Sequence, residues 1–305
     1  MNSLLSKAKL GTQPGGRPPA AVEISPDGVL AASLPGPGQS PVYAFVPLAP
    51  GSVVPGIGEP NLRAPEVIAD AIRSALNQVS PRTRAVTVVL PDTAVRVFVL
   101  DFDSLPAKAA EAFPVLRFRL RKMVPFEVEH AGVSYQVLSQ TKTECRVLAA
   151  VLPGAILAEY EAAVRAAGYE PGAVLPSSLA ALEAIDSMEA VLAANMSGLA
   201  ITTLISNGQD LLLYRTLDLP EDPTVRRQDV QRSIAVAAAY YEDRLGVRAS
   251  TLHYAGSLEG GEFASWINEP ELTVVDLAPR PETGMATALG ATSVAGLAGA
   301  LAGAS

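Results

Sequence analysis

EAVLAANMSGLAITTLISNGQDLLLYRTLDL (189–219) divides into three apolar β runs, EAVLAANMSG (189–198), LAITTLIS (199–206) and DLLLYRTLDL (210–219). The Asn207-Gly208 pair between the last two is the strongest short hairpin signal in the chain, because both residues tolerate the backbone that a tight turn demands. DPTVRRQDVQRSIAVAAAYYEDRLG (222–246) then reads as a long helix and STLHYAG (250–256) as a strand. Toward the N-terminus the same order recurs. AAVEIS (20–25), the turn PDG (26–28) and VLAASL (29–34) form a hairpin. The Pro/Gly-rich LPGPGQS and a strand-like PVYAFVPL follow. APEVIADAIRSALNQV (64–79) carries Val67, Ile68, Ile72, Leu76 and Val79 at helical spacing, and strands resume at AVTVVLP (85–91) and AVRVFVLDF (94–102). Two halves, each a hairpin followed by helices, predict an internally duplicated α/β protein.

Between the halves, PAKAAEAFPVLRFRLRKMVPF (106–126) reads as a helix whose main body Pro114 opens at the first turn. VSYQVLSQ (133–140) and CRVLAAVLP (145–153) read as strands, and AILAEYEAAVRAAG (155–168) as a helix stopped by its glycine. PSSLAALEAIDSM (176–188) reads as a second helix, with Ser177 or Ser178 as its cap. Residues 1–20, containing GTQPGGRPP, read as a loose tail. ATALGATSVAGLAGALAGAS is apolar but made of small, Gly-interrupted residues, which predicts a packed helix rather than a membrane span.

The chain has 305 residues, 49% of them hydrophobic and 18% charged, enough to bury a substantial core. Lys+Arg number 23 against 31 Asp+Glu, a net charge of -8, which argues against nucleic acid as a partner. One cysteine, Cys145, and two distant histidines, His130 and His253, exclude a Cys-based metal cluster and make a His-rich zinc site unfavourable, so no metal site is expected. The cysteine count fits a reducing, cytosolic compartment, and Cys145 within CRVLAAVL reads as a buried, inert thiol. There is no GxxxxGK[ST] phosphate loop and no GxSxG elbow, so no catalytic residue is assigned. Asp101 and Asp103, two apart on a strand, read as a strand end entering a turn, and Glu127 and Glu129 as solvated acids. Arg117, Arg119, Arg121 and Lys122 form the densest cationic cluster, read as a solvated helix, with an acidic partner or an anionic membrane surface as the alternative.

Several of these segments together resemble the PilM family of type IV pilus assembly proteins. They are VPLAPGSVVPGIGEPNLRAPEVIADAI (46–72), the block running from VVLPDTAVRVFVLDFDSLP to LRFRLRKMVPFEVEHAGVSYQVL (88–138), YEPGAVLPSSLAALEAI (169–185), DVQRSIAVAAAYYEDRLG (229–246) and ATALGATSVAGLA (286–298). The resemblance implies a two-lobed, actin-like α/β fold with a small inserted α+β subdomain in the first lobe. Its expected divisions are a flexible tail at 1–20, a first lobe at 21–190 with the insert at about 94–150, a second lobe at 191–285, and a closing helix at 286–305 packed on the first lobe. It further implies a cytoplasmic protein, peripheral to the inner membrane. Such a protein would grip the N-terminal peptide of a membrane-anchored pilus assembly protein beside the insert and would contact other pilus machine components, without membrane insertion or nucleic-acid binding.

Members of that family carry an Asp-Ile-Gly hairpin in each lobe for the phosphates and magnesium of ATP. This chain has Glu23-Ile24-Ser25 in the first hairpin, with Leu30 where a lysine is common, and Asn195-Met196-Ser197-Gly198 in the second. Its adenosine-side glycine pair is reduced to Gly256-Ser257. A lost carboxylate weakens magnesium binding, and an added Cβ crowds the phosphate turn. The resemblance therefore implies a degenerate nucleotide cleft and a non-enzymatic scaffold that needs no cofactor. Two alternatives stand beside it: an actin-like pilus or type II secretion protein that binds ATP and magnesium with slow or no hydrolysis, and a sugar or metabolite kinase, for which Asp210 and Asp218 are candidate bases that nothing ties to a substrate.

Overall fold

The computed structural model describes residues 16–36, 38–185, 187–208, 210–278 and 292–304. Two five-stranded sheets share one plan. In the first, β1 (Ala20–Ser25), β2 (Gly28–Ser33) and β3 (Val42–Pro47) form an antiparallel meander. Helix α1 (Pro65–Val79) then crosses over, and β4 (Ala85–Leu90) returns parallel to β1. In the second, β9 (Ala190–Ser197), β10 (Ala200–Asn207) and β11 (Asp210–Asp218) form the meander. Helix α5 (Pro223–Leu245) crosses over and β12 (Thr251–Gly256) returns parallel to β9. Each sheet is completed by a fifth, parallel strand, β8 (Glu170–Pro176) beside β4 and β13 (Thr273–Asp276) beside β12.

The first lobe carries the insert. After β4 and a 3-10 turn at Asp92–Ala94 come β5 (Arg96–Phe102), α2 (Ala109–Leu120), β6 (Gly132–Gln140) and β7 (Cys145–Leu152), forming a three-stranded sheet in the order β5-β7-β6. The chain then resumes the lobe through α3 (Gly154–Ala166), β8 and α4 (Ser177–Leu182). In the second lobe α6 (Gly260–Ile267) holds the place of α3, directly before the fifth strand, and α7 (Ala295–Ala302) lies against α4 and strands β1, β2 and β4. The close fit of α7 comes from its glycines: a Cβ on Gly299 would fall 1.7 Å from the Ala180 carbonyl oxygen. Among the described residues no helix is long and apolar enough to cross a membrane.

β7 shows how the insert is built. Its alternate residues Cys145, Val147, Ala149 and Val151 face Ala112, Leu116 and Leu120 of α2 in one small core, while Leu148, Ala150 and Leu152 point from the other face of the sheet. Asp101 pairs with Arg146 at 3.0 Å.

Several expectations change in detail. Pro114 stands inside α2, which begins at Ala109; the carbonyl that loses its partner there belongs to exposed Ala110, where water can replace it. The helix expected over 176–188 ends at Leu182, where the backbone N–H groups of Glu183, Ala184 and Ile185 tighten to bonds three residues back. Neither Ser177 nor Ser178 caps it, because both hydroxyls bond to other elements. Sequence reading assigns no element to 170–176, 260–267 or 273–276, which form β8, α6 and β13. Residues 1–15 of the expected tail and 286–291 of the expected closing segment lie outside the described residues; Arg17 is bridged to Ala304, and Pro18 lies against Gly172.

Candidate functional site: the cleft and the groove

The hairpins of the two lobes face each other. Glu23 stands two residues before the β1–β2 turn and Asn195 two residues before the β9–β10 turn, so duplication places them as counterparts. Gly198 adopts φ +56 to make the second turn, and a Cβ there would lie 3.1 Å from the ring of Pro26 in the first. The turns thus nearly touch. Between them Glu23, Ser25, Asn195, Ser197, Gly256 and Ser257 line one cavity with Asp27, Leu30, Ser177 and Gly296. Gly198 shapes the turn without lining the cavity. Gly256 is fixed by space, since a Cβ would meet the Tyr254 hydroxyl at 2.3 Å.

The cavity measures about 30 Å³, whereas small-molecule sites start near ~300 Å³. Several of its polar groups are already engaged with one another. The Ser25 hydroxyl donates to the Gly28 carbonyl of its own hairpin at 3.1 Å. Ser177 donates to Glu23 Oε1 at 2.6 Å, and the Asn195 amide donates to Ser177 Oγ at 3.2 Å and Ser178 Oγ at 3.0 Å. A Cβ on Gly296 of α7 would stand 2.6 Å from Glu23 Oε2. The arrangement as it stands does not fit a nucleotide, and no group of three or more potential metal-ligating side chains occurs among the described residues.

From Ser178 the polar chain continues to Asp92, a residue that sequence reading did not single out. Asp92 accepts from the Ser178 backbone N–H at 3.0 Å, from the Ser178 hydroxyl, from Thr202 at 3.0 Å and from Tyr214 at 2.7 Å. Glu23, Asp92, Ser177 and Ser178 belong to the first lobe; Asn195, Thr202 and Tyr214 belong to the second. One hydrogen-bonded network therefore ties the lobes together through protein groups. Burial pushes the Asp92 carboxyl up and its donors hold it down, with burial prevailing. Half-buried Glu23 is pushed up to about 7 by desolvation, with the Ser177 hydroxyl opposing and the charge of Asp92 adding. Desolvation and Asp92 also raise the Tyr214 phenol well above its ordinary value. The sequence does hold one signal for Asp92, a lone acid in the apolar run VVLPDTAV (88–95).

A second feature lies beyond this network. The free face of β7, strands β6 and β8 and helix α3 enclose a cavity of about 370 Å³. Val95, Leu148, Leu152, Leu157, Val174 and Leu179 give it an apolar lining, in which Glu161 is the one carboxylate. β6 and β8 are edge strands of their sheets, each paired on one side. The groove shares its wall with the cleft: Val95, Pro176 and Leu179 line it, while neighbouring Asp92, Ser177 and Ser178 carry the network.

The overall arrangement has solved counterparts. A chain of the "PilM-PilN type IV pilus biogenesis complex" superposes with a TM-score of 0.71 at 17% identity, covering 94% of this chain and 98% of that one. A Bacteroides thetaiotaomicron protein described as having an actin-like ATPase fold and unknown function superposes at 0.52, with 11% identity over 94% of this chain and 98% of that one. The fold is actin-like. The cytoplasmic domain of EpsL, an inner membrane component of the type II secretion system of Vibrio cholerae, shares it at a TM-score of 0.51 and 16% identity, over 87% of this chain and 89% of that one. No protein-family profile and no curated protein matches the sequence. An actin-like chain of this kind has two lobes related by duplication, and here its first lobe holds the insert.

Proposed function

We propose that this chain is a non-catalytic, cytoplasmic adaptor of a type IV pilus or related secretion assembly at the inner membrane. In this reading the groove beside the insert receives the N-terminal peptide of a membrane-anchored partner. The observation that carries it is the groove itself: an apolar cavity of about 370 Å³ between two strand edges. An extended peptide pairing with β6 would gain main-chain hydrogen bonds and place alternate side chains in the apolar lining. Glu161, the one carboxylate of the lining, is already paired with Arg165 at 2.8 Å, so the lining favours an apolar peptide. The likeness to a chain of a PilM-PilN complex supports the partner's class. The cleft is then a structural joint: Ser177, Ser178 and Asn195 fill the space between the hairpins, and ATP and magnesium are not needed to hold it shut.

The test is capture from detergent-solubilised membranes of the source organism, with and without MgATP, comparing the wild type with Ala150→Glu. Ala150 lines the groove, half-buried at the margin of the first-lobe core, so a charge there blocks an apolar peptide, and a melting temperature measured alongside separates that block from loss of folding. The expected result is a bitopic protein with a short cytoplasmic N-terminus, retained equally in both conditions and lost with Ala150→Glu. Retention that depends on MgATP would restore a working nucleotide cleft, and retention of no membrane protein would end the adaptor reading.

A further inference from the structure

Helix α2 buries Ala112, Leu116 and Leu120 against the insert's sheet. Flanking that buried face, and continued by the turn after Leu120, Val115, Phe118, Arg119, Lys122 and Met123 recur at helical spacing and form one exposed stripe. Phe118 is 64% exposed, Met123 40% and Val115 37%. The Lys122 ammonium lies 5.7 Å from the centre of the Phe118 ring. Residues 115–123 include no acid, although the chain as a whole carries a net charge of -8.

The neighbouring cations have structural work. The Arg117 guanidinium donates to the carbonyls of Val128 and Ala131, and Arg121 pairs with Glu129. Glu111, one turn upstream, pairs with Lys108 at 3.6 Å. The Arg119 guanidinium has no hydrogen-bonded or ionic partner among the described residues. A large exposed aromatic, two further apolar side chains and two cations thus form a convex ridge that the fold itself does not use.

We propose that this ridge docks on the surface of an anionic lipid bilayer. Phe118 and Met123 would enter the headgroup boundary while Arg119 and Lys122 meet lipid phosphates, the combination by which interfacial helices bind. A convex ridge suits a deformable planar surface, and its charge complements anionic lipid against an otherwise acidic protein. α2 and its ridge lie on one face of the insert's sheet and the groove on the other, so both can be occupied together. Two cations and one short helix give weak, reversible attachment, which becomes effective once a second contact holds the chain near the membrane. The inference needs no peptide partner and is tested without one.

The whole protein is sedimented with vesicles of phosphatidylcholine alone or containing phosphatidylglycerol, at low and high salt. The wild type should bind the anionic vesicles and not the neutral ones, with binding weakened by salt. Arg119→Glu with Lys122→Glu should lower that binding at least ~10-fold, since each basic residue at an anionic surface contributes roughly fivefold. Phe118→Ser should lower it severalfold while leaving the salt dependence in place. Exposed positions should leave the far-UV spectrum and melting temperature unchanged, and a Phe118→Trp variant should show a blue-shifted emission increment over wild type on anionic vesicles. Equal binding to both lipids, no binding by the wild type, or full binding by the double variant would overturn the proposal. Loss of a soluble protein partner in the double variant, with no vesicle binding by the wild type, would assign the ridge to that partner instead.

Discussion

Glu23 shows how one residue's surroundings set its chemistry. An exposed glutamate titrates near 4.5, and this one is pushed up to about 7 by loss of water beside Ser177 and Asp92. The protonated form is therefore favoured in the native state. Between about 4.5 and about 7 the unfolded chain has released a proton that the folded chain retains, so the contribution of Glu23 is full below that window and is lost as pH rises through it. The loss is at most about 3 kcal/mol, reduced by whatever water reaches the cavity. Glu23→Gln keeps the shape without the titration, so the difference in melting temperature between variant and wild type should grow with pH across this window in the variant's favour. Thermal melts from pH 4 to 8 (about half a unit apart) check it; a parallel pair of curves would sink the assignment. Glu23 and Asn195 stood out in the sequence because the family resemblance places a motif residue at each hairpin position. Asp92 was not, because its partners Ser178, Thr202 and Tyr214 lie 86, 110 and 122 residues away.

Among the elements, legibility followed local signals. Asn207-Gly208 marks the β10–β11 turn, and the spacing of Ile68, Ile72 and Leu76 marks α1, because each signal lies within a few residues. β8 is hidden by Pro171 and Gly172 and becomes a strand through parallel pairing with β4. α6 opens on Gly260-Gly261, and β13 has four residues, too few for a period to show. α7 was legible as a packed helix from its small residues; the individual contacts it makes with α4 were not. Their importance gives a prediction. Gly299→Ala places a carbon against the Ala180 carbonyl, rigid backbone at 1.7 Å, and should cost about 3 kcal/mol by chemical denaturation. Gly296→Ala meets the mobile end of Glu23 and should cost less. Equal losses would mean that α7 adjusts freely against α4.

At the scale of the whole molecule, the lobes are joined by Asp92 and its donors. Asp92→Ala leaves Tyr214, Thr202 and the Ser178 N–H without their acceptor and should destabilise the fold by about 2–4 kcal/mol. The lesion should not be uniform. Amide hydrogen exchange should rise in β10, β11 and α4, which meet at the joint, more than in α1 on the far side of the first sheet. A uniform rise would assign Asp92 to general stability and not to the union of the lobes. The duplicated plan was readable from the order of runs in the sequence; the joint arises only when the two copies meet.

The position of α7 also bears on how the protein is made. Residues 295–302 cover strands that begin at residue 20, whereas β9 to β13 and α5 complete the second lobe from one continuous stretch. A ribosome therefore releases the first sheet long before the helix that covers one face of it. Until then Ala21 and Leu30 and the glycine-fitted surface of α4 are open to a cellular chaperone or to another nascent chain. The lobe that is synthesised first is the lobe finished last.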